Sequence, residues 1–215
     1  MVTAPTIEHM ELRTERTVIR PWRPEEADRL YDIVRRREVT EWLGRPEPWT
    51  PEQVDEFIAG NQQTAQIPIR CAIVPQADPL PVGTVMIELF SNGDPHLGWF
   101  LSPDARGRGW ATEAGSAMLR VAVDAGAARV WAGMWPHNTG SAAVCRRIGL
   151  VDLGRRQDPW YGTIEYPLSR LFCHWRSGAE HPLDVLARLN AAVTRDHATA
   201  APPIGRDGAT YPGAD

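Results

Sequence analysis

The residues best able to do chemistry lie in Arg106-Gly107-Arg108-Gly109-Trp110-Ala111-Thr112, a run that follows an apolar strand and opens a helix. Glycine lets backbone N–H groups come close to a phosphate, and the first turn of the helix adds the positive end of a peptide dipole. Taken alone, the run reads either as an anion-binding loop or as a surface turn carrying two Gly and two Arg. The P-loop Lys-Ser/Thr is missing, and so is a complete GxGxxG with an acidic residue after a second parallel strand. A different phosphate ligand is required.

The elements that must hold this loop can be read from periodicity and punctuation. Residues 15–20 read as a strand, and Pro24 opens a helix with Leu30, Ile33 and Val34 on one face. Thr50, Pro51 and Gln53 form a capping-box pattern ahead of Val54, Phe57 and Ile58. Apolar runs at 70–74, 83–90 and 97–101, separated by turns, predict three adjacent antiparallel strands. A helix over 112–125 carries Ala114, Met118, Val121 and Ala125 at helical spacing, with Gly126 as its stop. Further strands are predicted over 129–134 and 163–168, with a short helix over 141–148 between them. The reading is a mixed α/β domain over 1–175 and a C-terminal extension over 176–215, with a helix at 182–193 and a disordered tail from 198.

Composition narrows the class. The 215 residues carry a net charge of −4, which argues against a general polyanion binder and so against nucleic acid as a partner. All 23 basic residues are Arg, which points to a GC-rich, bacterial source. Cys71, Cys145 and Cys173 lack any disulfide-framework or metal spacing, so no metal is expected and a reduced cytoplasm is the natural setting. No apolar run approaches the roughly 20 residues that span a bilayer, so no membrane is expected as a partner.

Arg106, Gly109 and Ala111 meet the signature Gln/Arg-x-x-Gly-x-Gly/Ala, and the chain here resembles the GNAT superfamily of N-acetyltransferases. Leu12 to Pro21 is similar to the opening of the subgroup that contains the ribosomal-protein alanine acetyltransferases RimJ and RimL. Leu97 to Leu101 resembles its central strand, and Trp110-Ala111-Thr112-Glu113-Ala114 carries the loop into its helix. Asn138-Thr139-Gly140-Ser141 and Arg147-Ile148-Gly149-Leu150 look like its Asn-x-x-Ser segment and closing Gly-Phe, with Leu150 in place of Phe. The resemblance covers roughly residues 12 to 170.

It implies a central, twisted, mostly antiparallel sheet flanked by helices, with one parallel strand pair that splays apart to admit the pantetheine arm of acetyl-CoA. Phe100 and Leu101 are then expected to pair with pantetheine, and Arg106, Gly107, Arg108, Gly109, Trp110, Ala111 and Thr112 to hold the pyrophosphate. Asn138 is expected on the pantetheine amides and Ser141 near the sulfur, although both also fit a simple helix cap. The implied reaction is direct attack of a neutral amine on the thioester, with the amine belonging to a protein N-terminus or a small molecule.

The residue often acidic at the start of the central strand aligns with His96, which reads as a general base or as a solvated turn residue beside Asp94 and Pro95. Glu88, one strand earlier, is the other candidate. Where many members carry a Tyr that protonates the leaving thiolate, this chain has Cys145, readable as an acid or as a buried small hydrophobe. Trp22, Trp42, Trp49 and Trp99 are expected to border the acceptor cleft, or to serve core packing. The family also suggests a homodimer. Two other readings remain open: a GNAT-fold protein that binds acyl-CoA without turnover, and an antibiotic- or metabolite-modifying transferase using a longer acyl group.

Overall fold

A computed structural model describes residues 11–43, 47–62, 68–160 and 168–199. Its centre is a sheet of eight strands, β1 (Leu12–Arg13), β2 (Thr17–Pro21), β3 (Ile69–Pro75), β4 (Gly83–Leu89), β5 (Pro95–Leu101), β6 (Arg129–Met134), β7 (Val151–Gln157) and β8 (Leu168–Trp175). They lie in the order β1-β2-β3-β4-β5-β6-β8-β7. Every pairing is antiparallel except β5 with β6, which run parallel and meet at one bridge, His96 opposite Trp131. The mixed α/β sheet with one parallel pair is therefore as the sequence implied.

Alternation along each strand sends side chains to two faces with separate helical layers. On one face, Val85, Ile87, Leu97, Val130, Ala132 and Phe172 pack with Ala114 and Met118 of α4 (Trp110–Asp124) and Cys145 of α5 (Thr139–Arg147). On the other face, Ala72, Val74 and Phe100 pack under α1 (Ala27–Val34), α2 (Arg37–Thr40) and α3 (Pro51–Gln62) through Leu30, Ile33, Val34, Val39, Val54 and Ile58. Farther along that face, α6 (Pro182–Thr199) buries Val185 and Leu186 against Trp131, Leu153, Leu171 and Cys173. The two helical groups on this second face belong to separate clusters, and the β5–β6 boundary runs between them.

Local chemistry accounts for several boundaries. The capping box at the start of α3 is formed in both directions, Thr50 N donating to Gln53 Oε1 at 3.1 Å and Gln53 N to Thr50 Oγ1 at 3.3 Å. The buried Trp22 donates its indole N–H to Thr84 Oγ1 at 3.0 Å, which satisfies the polar atom of a side chain only 1% exposed.

Three sequence expectations change. The helix predicted over 182–193 continues to Thr199, and the predicted tail beyond 199 lies outside the described residues. Of the strand predicted over 163–168 only Leu168 is described, and it starts β8, which runs on to Trp175. The edge strand β7 was not anticipated. It is bulged at Asp152/Gly154, and mostly exposed charged positions mask its alternation. Among the described residues no helix is long and apolar enough to cross a membrane.

Candidate active site

The loop from Arg106 to Gly109 leaves the C-terminal end of β5 and enters α4. Gly107 and Gly109 sit at φ +78° and +82°, a left-handed backbone that side chains rarely adopt. A Cβ on Gly107 would meet nothing within 4 Å, so this side of the loop is open to a bulky anion. Gly109 is the N-cap of α4 and supplies no side-chain cap, leaving the N–H groups of the first turn to an external acceptor.

The side chains of the loop are used to fix it. Arg106 Nη2 donates to the carbonyl of Glu38 in α2 at 2.5 Å, and Arg36 pairs with Asp104 at 2.6 Å. Arg108 lies 5.2 Å over the Trp110 ring. Ala111 is buried against the core and Thr112 is half-buried. Phe100 points to the α1–α3 side and Leu101 to the α4 side.

His96 stands where the two parallel strands still touch. It lies within β5 and is 8% exposed, so the solvated-turn reading is overturned by burial. Its Nε2 accepts the backbone N–H of Gly133 in β6 at 3.3 Å. Burial pushes its pKa down to about 4, although the charges of Glu88 and Asp158 act the other way. The ring is therefore neutral at pH 7 with Nε2 engaged, which disfavours the general-base reading of His96 and gives it the part of a pin between β5 and β6.

Two carboxylates flank that pin. Glu88 faces His96 across the β4–β5 ladder and pairs with Arg70 at 2.8 Å. Asp158, just beyond β7, is 4% exposed, and its Oδ2 lies 3.7 Å from where a Cβ on Gly133 would stand. Its Oδ1 accepts the N–H of Trp160 at 2.9 Å. Sequence reading missed Asp158 because Asp-Pro-Trp after a strand looks like a turn. It lies beside Gly133, 25 residues earlier in the chain, a neighbour that no local pattern reveals.

Asn138 caps α5, its Oδ1 accepting the N–H of Ser141 at 3.0 Å, so the capping reading holds while the amide NH2 is not used by the cap. Ser141 is half-buried in the first turn of α5. Cys145 is fully buried, and burial pushes its thiol up to about 12, so it packs as a small hydrophobe.

The tryptophans divide. Trp42 follows α2 and meets His137 of the β6–α5 loop at 5.3 Å between ring centroids, joining the two sides of the site. Beside His137 a cavity of about 460 Å³ is lined by Pro136, Gly154, Arg155 and Arg170. Trp49 packs edge-on against Phe57 at 5.1 Å within the α1–α3 cluster. Trp22 is core. Trp99 was expected on the acceptor side, but it faces α4, 3.8 Å from where a Cβ on Gly115 would lie. Strand alternation puts it on the opposite face from His96.

Comparison with known proteins gives a consistent result. The family model described as an acetyltransferase (GNAT) domain matches residues 16–151. An acetyltransferase of the GNAT family from Bacillus anthracis superposes with a TM-score of 0.67 at 19% identity, covering 77% of this chain and 98% of its own. A ribosomal-protein alanine acetyltransferase from Vibrio fischeri superposes at 0.63 with 18% identity, covering 80% and 100%. RimL, a ribosomal-protein N-acetyltransferase solved with coenzyme A, superposes at 0.65 with 16% identity, covering 77% and 98%. At such identities the likeness speaks to fold. A search of curated protein sequences found no match.

Proposed function

Because this chain belongs to the GNAT acetyltransferase family, we propose that it transfers an acetyl group from acetyl-CoA directly to a primary amine, on a protein N-terminus or a small molecule. The observation that carries the reading is the pairing of an open, positive-φ glycine loop at the end of β5 with a parallel β5–β6 pair joined by a single bridge. The residues present fit the co-substrate: the loop offers first-turn N–H groups for a diphosphate, and the edges of β5 and β6 beyond His96 and Trp131 offer main-chain groups for amides. Acetyl-CoA supplies an activated thioester.

In this reading Gly107 through Thr112 bind the diphosphate, Phe100 and Leu101 pair through the main chain, and Asn138 adds its side-chain amide. Ser141 hydrogen-bonds the departing thiolate through its hydroxyl, and the thiolate takes its proton from solvent. Neutral His96 holds the Gly133 N–H and fixes the separation of the strands. Asp158, directly or through a water, takes the proton from the attacking amine, and Glu88 favours the approach of a cation. General-base assistance of this kind contributes about 10²- to 10⁴-fold, with positioning supplying the rest. Trp42 forms the acceptor wall, with Trp49 packed behind it in the α1–α3 cluster. A cytoplasmic, homodimeric enzyme is the setting we infer from the family.

The test is release of the CoA thiol from acetyl-CoA in the presence of a panel of peptide N-termini and small amines, repeated with propionyl- and succinyl-CoA. Amine-dependent release favouring acetyl-CoA supports the proposal. Tight acyl-CoA binding with no turnover on any amine would favour a binding protein of this fold.

A further inference from the structure

The cofactor loop is touched by a residue that the signature does not contain. Arg16, in the turn before β2, sends Nη1 to the carbonyl of Arg108 at 3.1 Å. Its Nε and Nη2 reach Glu113 Oε2 at 2.9 and 2.8 Å. Nη2 also lies 3.1 Å from where a Cβ on Gly109 would stand, so the guanidinium rests on the loop itself.

Glu113 gives this contact its significance. It lies in the first turn of α4, where a carboxylate suits the helix dipole but opposes any second anion bound at the same end. It cannot swing away, because its Oε1 accepts from the Thr14 hydroxyl and from the backbone N–H groups of Arg16 at 2.7 Å and Thr17 at 3.1 Å. Burial would raise its carboxyl, yet hydrogen bonds from Thr14 and Arg16 and the Arg16 charge outweigh that and hold it below the usual range. A fixed negative charge therefore sits within one turn of the loop, and its side chain is only 15% exposed.

Resting on the acetyl-CoA reading above, we propose that Arg16 is a positioning residue for the co-substrate: it cancels the Glu113 charge and engages the Arg108 carbonyl so that the loop can accept a diphosphate. The contacts of Glu113 with Thr14 and the backbone survive removal of the Arg16 side chain, so the turn keeps its anchor while the charge is unmasked.

The experiment is calorimetric titration with acetyl-CoA of the wild type, Arg16→Ala, Glu113→Gln and the double variant, with thermal unfolding recorded for each. Arg16→Ala is expected to weaken acetyl-CoA binding about tenfold or more, and adding Glu113→Gln to recover most of that loss, since one uncompensated charge at short range is of this order. Arg16→Gln, which keeps bulk and polarity, should show the same loss if Arg16→Ala proves unstable. Binding by Arg16→Ala within about twofold of wild type, or a double variant no tighter than Arg16→Ala, overturns the inference. Failure of the wild type to bind acetyl-CoA would instead overturn the proposed function, and this inference with it.

Discussion

The Nε2 of His96 accepts the N–H of Gly133 across the one bridge that joins β5 to β6, so a side chain replaces a main-chain partner where the sheet begins to part. A buried acceptor in that position must be neutral. A free histidine takes a proton near 6.5, and His96 in the fold takes one only near 4. The stability it contributes is therefore fully present above pH 6.5 and is lost as pH falls toward 4, by up to roughly 3 kcal/mol. Thermal unfolding between pH 7 and 4.5 should show the decline, and His96→Gln, which can still accept from Gly133, should flatten it. An unchanged slope in His96→Gln would show that the protonation resides elsewhere.

Asp158 is predicted to matter for rate more than for binding. Asp158→Asn keeps shape and hydrogen-bonding capacity but removes the base, so kcat should fall about 10²-fold or more while the KM for acetyl-CoA changes little. Steady-state kinetics with the best amine from the panel checks this. A wild-type kcat in the variant would remove Asp158 from the chemistry.

Cys145 should be dispensable. Its thiol is fully buried and pushed up to about 12, so it is a poor proton donor at neutral pH. Cys145→Ala should keep kcat within about twofold and lose about 1 kcal/mol in urea denaturation, the scale of a small core truncation. A large loss of kcat with intact stability would restore the acid role.

The Trp22 to Thr84 hydrogen bond tests the fold independently of the site. Thr84→Val is nearly isosteric and leaves a buried indole N–H without its acceptor, so unfolding free energy should drop by about 1–3 kcal/mol. The affinity for acetyl-CoA should be unaffected.

Local signals made much of this legible. The capping box at Thr50, the helical periodicity of Ala114 and Met118, and the glycine spacing at 107 and 109 are short-range, and the structure follows them. The region after residue 150 was harder. Leu171, Phe172 and Cys173 are consecutive buried residues because both faces of β8 are covered, which erases the alternation that marks a strand. His96 and Asp158 share a cause of ambiguity: each looks like a turn residue by its neighbours, and each is buried by strands far away in sequence. Trp99 and Phe100 went to opposite faces by simple alternation, which could have been applied from the sequence once His96 was taken as a strand residue.

The most direct test of the central claim is calorimetric titration of the protein with acetyl-CoA, repeated on Gly109→Trp, with folding of the variant checked by circular dichroism. The account predicts micromolar binding by the wild type and its loss in a folded Gly109→Trp, because a side chain at φ +82° beside Arg16 obstructs the loop. Absence of binding in the wild type, or equal binding by both, would contradict it.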